Sequence, residues 1–307
     1  MADKVNKKEN IYLSIIVPFK NQANVLENTI KDLIEFTGNV DYETEVIFAD
    51  THSNDGTLDL AKKYAEQIEH FRIVEPKDAR GGKGQGIHDG IIEALGKNIL
   101  FMDADSSTKI FEVDKLLPYL KDYDIVMGSR YIQEPRPHKS QYIRSMLHSI
   151  KSVLEVIVLG YSKDNTTKEK QPRIRQLISR GGNLMFLMLL NQDYVDQRCG
   201  FKLYRRKAAK LLAELQTIYG NAGKDHGFGF DTEYIAIAQK YKLKSIEVPV
   251  VWYDSAKTAI VHPLRDTFMS FKDIFKIQWN LIRGRYSKKH LEKKLGQNIE
   301  EIVLNWD

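Results

Sequence analysis

From Tyr12 to Arg130 short apolar or β-branched runs alternate with stretches in which apolar residues recur at three- and four-residue spacing. The runs are YLSIIVPF, EVIFAD, FRIVE, NILFMDAD and DIVMGSR. Between them Leu26, Ile30, Leu33 and Ile34, then Leu58, Ala61, Ala65 and Ile68, mark helices. Strands apolar on both faces and joined by helices predict an α/β fold: a mainly parallel sheet flanked by helices, with ligands at the carboxyl ends of its strands.

The pattern changes after Arg130. Residues 133–180 contain Pro135, Pro137, Pro172, the polar stretch SKDNTTKEKQPR and an apolar helix candidate around Val153. They read as a mobile helical and loop insertion. The core resumes with VDQRCGFKLY and ends with SIEVPVVW as a last strand. In between, GFGFDTEYIAIAQKY predicts an amphipathic helix with Tyr234, Ile237, Ala238 and Tyr241 on one face. The expected layout is a catalytic domain over 1–260 and a basic amphipathic helical segment over 261–307. From Pro263 to Tyr286 that segment carries Leu264, Phe268, Phe271, Phe275 and Ile282 near one helical face, with Trp279 at its edge. Core packing gives such a face, and so does an interfacial helix flanked by Lys and Arg.

Composition narrows the classes. With 307 residues and 42% apolar content the chain can bury one large core or two small ones. Net charge is +5 and the pI near 8.9, a mild excess that suits phosphates, anionic headgroups or nucleic acid alike. Cys199 is the only cysteine, so no disulfide forms within the chain and a reducing compartment is expected. The polar MADKVNKKEN start lacks the apolar core of a signal peptide. The apolar runs Val153–Gly160 and Leu184–Leu190 fall short of the roughly 20 residues that cross a bilayer.

Chemistry concentrates at the predicted strand ends. NILFMDADSS closes a buried run with Asp103 and Asp105. Asp105 with the following serines could cap a helix beginning near Phe111. Two anions so close together also suit a hard divalent cation such as Mg²⁺ or Mn²⁺. The neighbouring ends bring Pro18, Lys20 and Asn21, then Asp50, then Ser129 and Arg130. Asn54, Asp55 and Gly56 read as a turn into a helix, which leaves a ligand role to Asp50. ARGGKGQGIHDG lacks the Ser or Thr after Lys of a P-loop, and no G-x-G-x-x-G follows the first strand. Its glycines predict a tight helix entry, with Arg80 or Lys83 reaching a ligand.

SIIVPFKN, ADTHSNDGT, GGKGQGIHDG, MDADSSTK, GSR, DQRCGFKLY and FDTEY, in this order, resemble the GT-A (Rossmann-like) glycosyltransferases of family 2, and within them the polyprenyl-phosphate branch. The likeness runs from about Tyr12 to Tyr286. DADSSTK and CGFKLY look closer to its dolichyl-phosphate glucosyltransferases than to its mannose synthases. The resemblance implies that Pro18, Lys20, Gln22, Asp50, Lys83 and Asp103 bind the nucleotide-sugar. It implies that Asp103, Asp105 and Ser107 hold the divalent metal, and that Asp105, Arg130 and Lys202 carry the catalysis, the last two by handling phosphate. In this pattern Gln22 stands where many relatives carry Glu, and Thr51 replaces a second aspartate.

The expected activity is inverting transfer of a hexose, UDP-glucose favoured as donor, to polyprenyl (dolichyl) phosphate. A lipid monophosphate is already anionic near pH 7 and needs positive groups more than a base. Arg144 and Arg180 are further candidates for that task. Alternatives are GDP-mannose as donor and a saccharide as acceptor. Sugar-1-phosphate nucleotidyltransferases want a glycine-rich turn after the first strand, and Pro18–Gln22 has none. A nucleic-acid-binding module leaves the strand-end aspartates unexplained, so no nucleic-acid partner is expected. A cytoplasmic protein, peripheral on the cytoplasmic face of a membrane, fits this reading.

Overall fold

Two seven-residue strands with every side chain buried, β1 (Leu13–Phe19) and β2 (Thr44–Asp50), form the centre of one half of the molecule. They pair in parallel, and β3 (Phe71–Val74) continues outward from β2. The chain then returns to the other side of β1 with β4 (Asn98–Met102), also parallel. This reversal of direction beside β1 opens a crevice at the strands' carboxyl ends, the place where open α/β sheets bind ligands. The other half adds β5 (Ile125–Ser129), β6 (Arg136–Pro137), β7 (Phe201–Arg205) and β8 (Ser245–Pro249). In the computed structural model the order is β3-β2-β1-β4-β7-β5-β8-β6. The described residues are 10–64, 67–76, 81–138, 194–219, 229–253 and 263–298, with single positions at 150, 151, 154, 157, 190 and 192.

The sheet is mixed and mostly parallel. β7 runs antiparallel between β4 and β5, and β6 is antiparallel to β8. Alternation along the strands divides the core. Ile16, Ile47, Ile99 and Phe101 face α3 (Lys83–Glu93), α5 (Arg206–Leu215) and α6 (Gly229–Lys240). Ile15, Val17, Val46, Phe48 and Leu100 face α1 (Ala23–Asn39) and α2 (Thr57–Tyr64). α3 lies directly on β1: a Cβ at Gly90 would come 2.5 Å from Ile16 Cγ2, and one at Gly86 2.9 Å from Thr51 Cγ2 and 3.2 Å from Pro18 Cβ. These glycines therefore serve helix-to-sheet packing.

Three elements differ from the expected ones. β4 ends at Met102, so Asp103 and Asp105 stand in the turn beyond it. No long helix starts near Phe111; a 3-10 turn (Ile110–Glu112), a single helical turn α4 (Val113–Leu116) and a second 3-10 turn (Leu117–Lys121) follow, with Pro118 in the last. α6 is buried on every side from Gly229 to Ala238 rather than on one face, because it is sandwiched between the sheet side and α7 (Pro263–Ile282).

α7 is attached to the domain. Ile274 and Ile277 enter the core with Tyr286 and with Leu291 of α8 (Lys288–Leu295). Asn280 donates to Thr217 Oγ1 (2.9 Å) and Tyr286 Oη (3.1 Å), and Tyr286 Oη donates to the buried Glu233 (2.7 Å). The opposite surface exposes Phe271 (39%), Phe275 (67%), Trp279 (54%) and Ile282 (76%), a stripe too apolar to be an ordinary solvated helix face. The side chains of Leu264 and Phe268, and the runs around Val153 and Leu184 apart from the single positions named above, lie outside the described residues. Among the described residues no helix is long and apolar enough to cross a membrane.

Candidate active site

The turns leaving β1, β2 and β4 share a backbone signature. Asn21 (φ 52°), His52 (φ 67°) and Ser106 (φ 50°) are left-handed, a conformation that costs a residue with a side chain and persists where surrounding bonds enforce it. Those bonds are present. Asn21 N donates to Ser53 Oγ (3.1 Å), and Asn54 N donates to Asn21 Oδ1 (2.9 Å). Gln22 N donates to Thr57 Oγ1 (2.9 Å), so the first two turns are laced together. The third is fixed to α1: Thr29 Oγ1 donates to the Ala104 carbonyl (2.6 Å), and Ser106 Oγ reaches Thr29 (3.0 Å) and Asp32 (3.2 Å). Lys109 closes on the same Asp32 at 2.6 Å.

Asp50, 5% exposed, accepts the amides of His52 (3.2 Å) and Ser53 (3.1 Å), so its carboxylate shapes the turn at the end of β2. Asp55 holds the start of α2 through the Thr57 amide (3.0 Å) and hydroxyl, and reaches the Ala23 amide at 3.3 Å. Pro18 is buried beneath α3, whereas Lys20 and Gln22 are half-buried at the end of β1. Lys20 has no ion pair with a described residue.

At the reversal, Lys83 Nζ meets Asp103 Oδ1 at 2.5 Å. Burial alone would lower Lys83, but the carboxylates of Asp103, Asp231 and Asp105 hold its ammonium above the ordinary lysine range. Burial pushes the Asp103 carboxyl up and Asp105 adds to this, against the pull of Lys83 and Lys202. Two carboxylates that feel each other in this way favour a cation between them. Asp105 also accepts the Ser107 amide (3.0 Å), and Ser107 is buried. Among the described residues no group of three or more His, Cys, Asp or Glu is assembled to hold a metal. The donor set is thus two carboxylates, which fits an oxygen-coordinated divalent ion whose remaining ligands come from phosphate and water. Gly200 lets this arrangement close: a Cβ there would fall 1.9 Å from Asp103 Oδ2, and its carbonyl accepts the Asp103 amide at 3.1 Å.

Deeper in the second half, the two expected phosphate-handling cations have carboxylate partners of their own. Lys202, 2% exposed, donates to Asp231 Oδ1 (2.6 Å) and the Cys199 carbonyl (2.7 Å). Its ammonium and that of Lys83 lie 5.4 and 5.0 Å from the Phe101 ring centroid. Arg130 makes a two-pronged pair with Asp196, Nε to Oδ2 and Nη2 to Oδ1 both at 2.7 Å, and its own amide donates to the same carboxylate at 2.9 Å. Tyr131 and Trp252 lie 5.0 and 5.3 Å from the guanidinium carbon. Burial works against both charges; Asp196 nevertheless holds Arg130 well above its usual range, and Arg130 holds Asp196 below the usual carboxylate range. Asp196, Asp231 and Gly200 were not singled out in the sequence, although DQRCGFKLY and FDTEY contain them. Arg80, Arg144 and Arg180 lie outside the described residues.

A mostly parallel sheet with acidic residues at the reversal of strand order is the GT-A architecture, and solved structures agree on the fold. Mannosyl-3-phosphoglycerate synthase from Rubrobacter xylanophilus is similar with a TM-score of 0.52 at 14% identity, over 89% of this chain and 74% of that one. Glucosyl-3-phosphoglycerate synthase from Mycobacterium tuberculosis, in complex with Mn²⁺, UDP-glucose and glycerol 3-phosphate, gives 0.54 at 15% identity, over 87% and 79%. The chain belongs to glycosyl transferase family 2, whose family model matches residues 14–212. Similar curated proteins include the dolichyl-phosphate β-glucosyltransferase of Dictyostelium discoideum, 26% identical over 94% of this chain and 80% of that protein. The human protein of the same name is 26% identical over 92% and 79%.

Proposed function

We propose that this protein is an inverting hexosyltransferase that moves glucose from UDP-glucose to a polyprenyl phosphate such as dolichyl phosphate. The observation that carries the reading is the cluster of Lys83, Asp103 and Asp105 at the strand-order reversal, in a chain similar along most of its length to proteins named for that reaction.

In this reading Lys20, Gln22 and the turn built by Asp50 receive the nucleoside, and Pro18 backs that pocket. Lys83 places positive charge beside the diphosphate. Asp103 and Asp105, with Ser107 adjoining, would hold Mg²⁺ or Mn²⁺, which supplies Lewis-acid stabilisation of the leaving diphosphate. One oxygen of the lipid phosphate attacks the anomeric carbon. The bond from that carbon to the β-phosphate oxygen breaks, and its electron pair leaves with the nucleoside diphosphate. Back-side attack turns an α-linked donor into a β-linked product. The ionised phosphate has no proton to surrender, so no general base is required. Arg130 orients that phosphate, and Lys202 acts from below by fixing Asp231 and the Phe101 shelf.

The acceptor's location accounts for the stripe on α7. Phe271, Phe275, Trp279 and Ile282 are exposed beside Lys272, Arg283 and Arg285, the pattern of a helix lying in a lipid interface. This supports a peripheral position on a membrane, in this reading on its cytoplasmic face.

The test is product formation from UDP-glucose or GDP-mannose, each with Mg²⁺ or Mn²⁺, with dolichyl phosphate or a soluble saccharide as acceptor. Lipid-linked β-glucose is the expected product. Transfer to the saccharide alone would overturn the acceptor, and turnover of GDP-mannose alone would overturn the donor.

A further inference from the structure

Behind Arg130 the ion pair with Asp196 continues into a second buried acid. Glu247 of β8 is 1% exposed. Its Oε1 accepts the Asp196 amide at 2.8 Å, and both its oxygens lie 3.0 Å from the Val195 amide. Oε2 also faces Arg136 Nη1 of β6 at 3.4 Å. The result is an unbroken series, Arg136–Glu247–Asp196–Arg130, crossing from the sheet edge to the candidate site. The Asp196 backbone is held by Glu247 and its side chain holds Arg130, so a shift at Glu247 reaches the guanidinium through a single residue.

We propose that Glu247 is a positioning residue for the acceptor side of the site: it fixes Val195 and Asp196, and through them the orientation of Arg130. The consequence for acceptor binding rests on the reading of Arg130 given above; the positioning relation itself does not.

The series contains one group able to titrate near neutrality. Burial pushes the Glu247 carboxyl up to about 7, with Asp196 adding to it, against the pull of Arg136 and the two amides. Arg130 stays charged and Asp196 stays ionised there, each held by the other. Other charged or titratable groups among the described residues beside the series are Lys202, which acts on Asp196, Tyr131 and Cys199, which act on Arg130, and His138, two positions after Arg136, with Tyr194 stacked on it at 4.5 Å. Protonation of Glu247 removes its charge from Arg136 and weakens its hold on both amides. Arg130 is then less firmly placed at acid pH than at alkaline pH.

Trp252, 5.3 Å from the Arg130 guanidinium carbon, reports this without substrate. With Trp279→Phe and Trp306→Phe it is the only tryptophan, and its fluorescence is followed from pH about 6 to about 8. A transition centred near 7 is expected. Glu247→Gln should abolish it, leaving the acid-side signal at every pH, whereas His138→Phe should retain it. Arg136→Gln, at a partly exposed site that leaves folding intact, should move the midpoint to higher pH because the opposing charge is gone. In turnover at pH about 8, Glu247→Gln should raise the acceptor KM about tenfold with little change in kcat. A transition that survives Glu247→Gln, disappears in His138→Phe, or keeps its midpoint in Arg136→Gln overturns the proposal. If the fluorescence results hold while Arg130→Lys leaves the acceptor KM unchanged, the positioning relation stands and the acceptor role of Arg130 falls.

Discussion

The two halves of the crevice handle charge in opposite ways. On the β1–β4 side, Lys83, Asp103 and Asp105 are partly open, and the turns leaving β1, β2 and β4 are strained and tied down by side-chain bonds to the backbone. On the β5–β8 side each buried cation is matched within the chain, Arg130 by Asp196 and Lys202 by Asp231. The first arrangement leaves net charge for a ligand to complete. The second spends its charge on rigidity, since a buried ion held in two directions cannot reorient without exposing an unpaired partner. Arg130, a fork with several N–H donors, keeps 12% of its side chain exposed while it grips Asp196; Lys202 is 2% exposed.

The largest effect should come from the open side. Asp105→Ala is expected to lower turnover by about 10²–10³, the scale of losing transition-state charge stabilisation, with the unfolding midpoint nearly unchanged. Equal loss of stability would show that the open side is structural after all. The closed side should respond in reverse. Lys202→Met strands Asp231 and is expected to cost about 3 kcal/mol in denaturant unfolding, with Lys202→Met/Asp231→Leu recovering most of it. A single variant as stable as wild type would break the contrast.

Glu247 sharpens it further. A carboxyl raised to about 7 in the folded protein, against 4.5 ordinarily, contributes stability below the lower value that is lost as pH rises through the higher one. Relative to Glu247→Gln, wild type should lose up to about 3 kcal/mol between those limits, read as a pH-dependent difference in unfolding midpoint. A constant difference would contradict the shift. The smallest effect on the fold belongs to α7: Phe275→Asp should change stability by no more than about 0.5 kcal/mol while weakening sedimentation with anionic vesicles. Unaltered vesicle binding would remove the membrane role from the stripe.

The open side was largely legible in the sequence because each of its strands is a local run that ends in a polar turn. Continuous apolar runs, turn residues and the DAD pair sit within a few positions of one another. The closed side was not, since Arg130 and Asp196 are 66 residues apart and Lys202 and Asp231 are 29 apart, and pairing at such separations leaves no periodic trace. The antiparallel β7 was also hidden: an apolar run of five residues does not state its direction. The stripe on α7 was visible as apolar spacing, yet the helix proved apolar on two sides. Ile274 and Ile277 face the core while Phe275 and Trp279 face outward.

The division into a donor side and an acceptor side is tested most directly by titrating dolichyl phosphate against turnover of UDP-glucose for wild type, Asp105→Ala and Arg130→Lys in parallel. The account predicts that Asp105→Ala collapses kcat at every acceptor concentration, whereas Arg130→Lys raises the acceptor KM and leaves the donor KM in place. If Arg130→Lys instead raises the donor KM, or if turnover in wild type is indifferent to the lipid phosphate, the assignment of the two sides is wrong.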